Sequence, residues 1–204
     1  MKKQQFRLLI PFLLIGIISA LTYCTNNQQK KEESMDPSKE QLVERGKYLV
    51  TISSCNDCHS PKIMTPQGPI DDTTKLLSGH PIGSKLPQLG PKATDPTAWI
   101  QMTQDGTAFI GPWGISYAAN LTPDETTGLG AWTEEVFIKT LRTGKHLGLQ
   151  EGRQILPPMP WYNINKMTDD DLKAVYAYLH SLPPITNQVP NPVSPEDVAK
   201  MVTQ

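Results

Sequence analysis

The sequence predicts an all-α fold with long proline-bearing loops. Three observations carry that reading. Three segments show apolar residues at helical spacing, with capping residues at their ends. Strand-like composition is confined to one stretch, Thr107 to Leu121. The 19 prolines and 14 glycines among 204 residues place stiff loops between the helices. The length suits one domain with attachments. A formal net charge of -1 leaves no basic stripe for nucleic acid and no acidic block for a solvating tail.

The first residues stand apart from the domain. Lys2, Lys3 and Arg7 precede an apolar run from Leu8 to Leu21. That run is shorter than the about 20 residues of a membrane span and has the pattern of a secretory signal. It ends in Leu21-Thr22-Tyr23-Cys24, which resembles a bacterial lipoprotein box. The box implies lipidation of Cys24, although Tyr23 stands where a small residue is usual. An uncleaved anchor helix is the alternative. The expectation is a signal over residues 1–23, export to the periplasmic side of a bacterial membrane, and a lipid anchor on Cys24. Residues 24–35 are polar and charged, a flexible tether.

The folded domain is expected over 36–190. Asp36 and Pro37 suit the cap and first position of a helix carrying Leu42, Val43, Gly46, Leu49 and Val50. Gly46 inside a helix costs about 1 kcal/mol against alanine, so close approach of another helix is its reason. This helix is expected to run straight into Cys55. Residues 60–98 carry seven prolines and read as loop. Trp99 to Met102 reads as a helical turn, and Thr107 to Leu121 as one or two short strands turning at Gly111-Pro112, a small β-hairpin insertion. Thr133 caps a helix over 134–143 that stops at Gly144. Thr168 caps the last strong helix, 169–181, with Asp171 at the capping-box position and Met167 and Leu172 as a hydrophobic staple. Its apolar face is Leu172, Val175, Tyr176 and Leu179. Residues 191–204 form a C-terminal tail in which Ser194-Pro195-Glu196 can start a short helix.

The chemistry concentrates in Cys55-Asn56-Asp57-Cys58-His59-Ser60, which holds two of the three cysteines. Two cysteines at this spacing followed by histidine are the attachment signature of c-type haem. Each thiol forms a thioether with one vinyl group, and His59 is then held under the ring to ligate iron. The rivals are weaker. A thioredoxin-like pair follows a strand, and here a helix precedes. A structural zinc site needs four ligands and the second pair is missing. A Cys55–Cys58 disulfide would close too small a loop to stabilise much.

The sixth position falls to a methionine, to another histidine, or to nothing. Met159 stands out in Leu156-Pro157-Pro158-Met159-Pro160-Trp161, where the prolines suppress helix and hold an extended segment. Methionine–histidine ligation is an established haem arrangement. Met64, Met102, Met167, His80, His146 and His180 are the rivals, with His80 the foremost histidine. Trp113, Tyr117, Trp161 and Tyr162 read equally well as pocket walls, donors to the haem propionates, or core packing.

VERGKYLVTISSCNDCHSP, NLTPDETTGLGAWTEEVFIKTLRTG and LPPMPWYNINKMTDDDLKAVYAYLHSLPP together resemble a class I cytochrome c domain. The likeness runs over most of residues 40–190. It is nearest to cytochrome subunits and lipoproteins serving membrane-associated dehydrogenases of the alcohol and gluconate type. It implies a cytochrome c fold with crossing first and last helices, Gly46 facing Tyr176, and a loop at Asn120 to Asp124 near the haem edge. It also implies one covalent haem c on Cys55 and Cys58, His59 and Met159 as axial ligands, and electron exchange with a dehydrogenase donor or an oxidase acceptor. Those subunits often carry three such motifs, and this chain carries one. A haem enzyme or gas-binding protein with open iron and a haem-free thiol or metal module are the readings from other classes.

Overall fold

The computed structural model describes residues 37–202. The signal-like segment, Cys24, the tether and Asp36 lie outside the described residues. Helix α1 spans Lys39–Ile52. Its cap is Ser38: the Ser38 hydroxyl accepts from Gln41 N at 3.3 Å, and the Gln41 side chain accepts from Ser38 N at 2.8 Å. The start expected at Asp36-Pro37 is therefore too early, because Ser38 and Gln41 satisfy each other's backbone amides as a capping box. Nor does α1 run into the cysteine pair. Ser54 adopts a left-handed conformation (φ 55°), and a separate short helix α2, Cys55–His59, begins after it.

Helix α3 is Glu134–Thr143, capped by the Thr133 hydroxyl and closed by Gly144 at φ 67°. Gly144 takes that left-handed conformation under the ring of Trp161, where a side chain would collide. A short α4, Trp161–Ile164, precedes α5, Asp169–Ser181, whose Thr168 hydroxyl accepts from Asp171 N at 3.1 Å. The Asp171 carboxylate turns to α1, accepting from Arg45 Nε at 3.0 Å and Nη2 at 2.9 Å. Helices α1 and α5 pack together through Leu49, Val50, Leu172, Ala174, Val175 and Leu179. Leu77, Leu129, Phe137 and Leu141 complete that core. A Cβ on Gly46 would lie 1.9 Å from the Ala174 carbonyl oxygen and 2.7 Å from Tyr178 Cβ. Gly46 thus faces Tyr178, not Tyr176. Positions 174 and 178 share one helix face at a spacing of four, while 176 points elsewhere. Tyr176 donates its hydroxyl to Trp132 O at 2.8 Å.

The helices are accompanied by two small antiparallel sheets, so the domain is not all-α. Strands β1, Lys62–Thr65, and β2, Gly68–Asp71, form a hairpin running from Lys62 opposite Asp71 to Thr65 opposite Gly68. The proline content of this stretch reads as loop in sequence. In the structure Pro66 sits in the turn and Pro69 lies in an edge strand, both of which tolerate a missing N–H. The second sheet orders β3, Gln101–Met102, β4, Ala108–Gly111, and β5, Gly114–Tyr117. Of the turn expected at Trp99 to Met102, Gln101–Met102 is instead strand on the sheet edge. Residues beyond 190 close the other side. Val193 pairs with Ile115, and helix α6, Pro195–Val202, buries Val198 (1 % exposed) against Ala93, Ile110 and Ile115. No helix of the described residues is long and apolar enough to cross a membrane.

Between β5 and α3 the chain knots on two side chains. Buried Asn120 accepts from Thr122 N at 3.0 Å and Thr122 Oγ1 at 2.7 Å, and donates to Ile185 O at 2.8 Å. Asp124 accepts from the hydroxyls of Thr186, Thr127 and Thr126 and from two backbone amides. Those hydrogen bonds, the Thr186 hydroxyl first, hold its carboxyl far below the usual carboxylate range. A depressed folded pKa adds stability that is present above the unfolded value of 3.8 and lost as pH falls towards the folded one. Melting temperatures of wild type and Asp124→Asn are therefore expected to differ at neutral pH and to converge below about pH 4. A gap that stays constant down to acid pH would contradict this role.

Candidate haem-binding site

Helix α2 presents Cys55 and Cys58 half-buried, one turn apart, as free thiols. Burial pushes the Cys55 thiol up to about 11. It raises Cys58 as well, helped by the Asp57 carboxylate. Neither is a ready thiolate at neutral pH, which argues against a reactive redox pair. The left-handed Ser54 sets the direction in which this helix leaves α1.

His59 ends α2 and is buried, 8 % exposed. Its Nδ1 lies 2.8 Å from the carbonyl oxygen of Ala119, just after β5. Burial lowers its pKa, with the Ala119 bond opposing, so the imidazole is neutral at pH 7. A neutral ring whose Nδ1–H donates to a carbonyl carries its lone pair on Nε2. That is the tautomer a metal requires, and a backbone carbonyl is a usual outer partner for such a ligand. The backbone joins in: Gly79 N donates to His59 O at 2.8 Å. Around the helix, Ser60 Oγ donates to Asn56 Oδ1 at 2.8 Å and accepts from Leu77 N at 2.8 Å.

Met159 is half-buried in a turn closed by Met159 N donating to Leu156 O at 3.3 Å. The peptide between Pro157 and Pro158 is cis. The Pro157 carbonyl accepts from Ser116 Oγ at 2.6 Å, which ties the segment to β5. The β5 strand and the residues just after it therefore hold both ends of the candidate ligand set: Ser116 grips the Met159 turn and Ala119 grips His59.

The rivals have other positions. Met64 and Met102 are exposed, at 54 % and 65 %, and Met167 packs on the main core. His80 is buried with Nδ1 2.7 Å from Thr107 Oγ1, whose hydroxyl donates to Asp105 at 2.9 Å, and its ring lies against Tyr117. His146 stands edge-on to Trp132. His180, expected on the less buried side of α5, lies against Tyr176 with Nε2 closed off from solvent. Of the aromatic candidates, Trp113 donates to Ser116 and Trp161 covers Gly144, while Tyr162 is largely exposed. Sequence reasoning missed Ser116 and Ala119. A carbonyl acceptor has no residue-type signature, and a serine in a strand carries no signal until its partner is placed opposite.

Two thiols one turn apart beside a neutral, carbonyl-anchored histidine suit covalent attachment and ligation of haem. The class indicated is a c-type haem domain. A family model described as Cytochrome c matches residues 43–183, and the chain belongs to that family. It is 30% identical over 165 residues to the gluconate 2-dehydrogenase cytochrome c subunit of Pantoea cypripedii, a match covering 78% of this chain and 29% of that one. It is 28% identical to the alcohol dehydrogenase (quinone) cytochrome c subunit of Gluconobacter oxydans, covering 73% of this chain and 23% of that one. A shorter match, 40% identical over 79 residues, is to the fructose dehydrogenase cytochrome subunit of Gluconobacter japonicus, with 39% and 16% covered. The chain thus spans less than a third of the length of these curated relatives. Membership implies covalent haem c and electron transfer, and these relatives are cytochrome subunits of dehydrogenases.

Proposed function

We propose that this chain is a single-haem electron carrier. Cys55 and Cys58 would hold haem c through thioethers, and His59 Nε2 and Met159 Sδ would ligate its iron. The single observation that carries the reading is the 2.8 Å contact of His59 Nδ1 with Ala119 O, which orients a neutral imidazole for ligation. When bound, haem supplies a one-electron iron couple. The residues of this chain do the rest. Burial around His59 favours the less charged reduced state, and a thioether ligand raises the potential further. With His59 and Met159 both ligating, the iron would offer no place for a substrate. The class I architecture of crossing α1 and α5 serves as the rigid frame of the site. The partners are a dehydrogenase donor or an oxidase acceptor. The lipoprotein-like start supports export to the periplasmic side and a lipid anchor on Cys24, with residues 24–35 as the leash.

Absorption spectra of the exported protein, with a pyridine haemochrome assay, test this. The expected result is a c-type spectrum at one haem per chain, with the weak far-red band of iron–thioether bonding in the oxidised form. Met159→Ala is expected to keep the haem, lose that band, lower the potential and open the reduced iron to carbon monoxide. An unchanged spectrum in Met159→Ala would remove Met159 from the iron and favour a histidine ligand.

A further inference from the structure

We propose that Ser116 is the positioning residue that seats the Met159 turn, an inference that rests on the Met159 ligation proposed above. The turn is poor in means of anchoring itself. Of Leu156 to Pro160, only Leu156 and Met159 own a backbone N–H. The Met159 N–H is spent inside the turn, on Leu156 O at 3.3 Å. The chain enters the turn held by Ile155 N donating to Gly144 O at 2.8 Å, and from Pro157 to Pro160 the anchorage to the rest of the domain comes through carbonyls and side-chain packing.

Ser116 supplies that anchorage. It is buried, 7 % exposed, on β5. Its Oγ donates to Pro157 O at 2.6 Å and accepts from Trp113 Nε1 at 3.1 Å. An indole N–H can only donate. Trp113 therefore occupies an acceptor site of the hydroxyl and leaves its proton directed at Pro157, two residues before Met159. Trp113 is itself packed over Gly111, where a Cβ would lie 2.5 Å from its ring. The strand under this relay is held from the far side by the reciprocal Ile115–Val193 bonds at 2.9 and 3.0 Å. Three residues beyond Ser116, Ala119 accepts from His59. The strand and the residues just after it thus carry both contacts, and the Ser116 hydroxyl is the one that grips the Met159 turn.

The test follows the far-red band of the oxidised holoprotein as pH is raised, in wild type, Ser116→Ala, Trp113→Phe and Val198→Ala. Loss of one hydrogen bond that favours the ligated turn shifts its equilibrium about fivefold, which lowers the midpoint of band loss by about 0.7 pH unit for a one-proton process. Ser116→Ala is expected to keep a c-type spectrum and show that shift. Trp113→Phe, which frees the hydroxyl to rotate, is expected to move the midpoint the same way by less. Val198→Ala makes a cavity behind the same sheet without touching the relay, so it is expected to lower the melting temperature and leave the midpoint in place. An unchanged midpoint in both Ser116→Ala and Trp113→Phe overturns the assignment, as does an equal shift in Val198→Ala, which would mark general loosening. A wild-type protein with no far-red band at any pH is a different failure. It refutes Met159 ligation itself, and the positioning role falls with it.

Discussion

Gly46→Ala is expected to destabilise the domain by at least about 3 kcal/mol, more than any surface substitution. The added Cβ would stand 1.9 Å from the Ala174 carbonyl oxygen. That obstacle is backbone, so no rotamer change relieves it. The α1–α5 crossing must open, and with it the packing of Leu49, Val50, Leu172, Val175 and Leu179. Alanine is otherwise the better helix former by about 1 kcal/mol, so the propensity effect opposes the loss and cannot explain it. Thermal melts of the holoprotein should show a fall of roughly 6–12 °C, on the scale of about 2–4 °C per kcal/mol for domains of this size. Lys47→Ala, one residue on and exposed, is the control and should stay close to wild type. A Gly46→Ala protein that melts with the control would mean that the helices do not cross at this residue.

The second large effect concerns attachment. Cys55→Ser and Cys58→Ser are each expected to impair covalent haem, and the double variant to abolish it, as read by haem staining of denatured protein and by the pyridine haemochrome spectrum. The reason is chemical: a serine hydroxyl forms no thioether, and each cysteine serves one vinyl group. Burial pushes both thiols up from their ordinary values, so neither is poised as a reactive thiolate. Covalent haem retained in the double variant would refute the assignment of the motif. Haem lost from the double variant but tightly held in both single variants would mean that one thioether suffices.

Much of the frame was legible in the sequence, and the reason is local physics. Thr133 and Thr168 mark their helices because a cap and its first turn are neighbours in the chain. Gly144 closes α3 for the same kind of reason. The cysteine pair and His59 are legible because the chemistry dictates a contiguous spacing. The sheets were less so. The β1–β2 hairpin carries prolines that read as loop, and its pairing depends on where the turn falls. Strand β3 is only Gln101–Met102 and owes its extended form to β4 beside it. Which residue faces Gly46 is not legible in the sequence, because the rotation of α5 is set by its core contacts with α1, α3 and the loop at Leu129.

By itself, then, the sequence determined the helices after Thr133 and Thr168 with those caps, the glycine at a close crossing, and the cysteine–histidine motif with its haem chemistry. All of these are written in residues within a few positions of one another. Only the tertiary structure decided which carbonyl fixes the His59 tautomer, which hydroxyl reaches the Met159 turn, and that the chain beyond 190 closes over the sheet. Those facts join residues 60, 41 and 78 positions apart: His59 to Ala119, Ser116 to Pro157, Ile115 to Val193. All three end on backbone carbonyls, which every residue owns, and a group that all residues share acquires a role only where the fold brings it within hydrogen-bond distance.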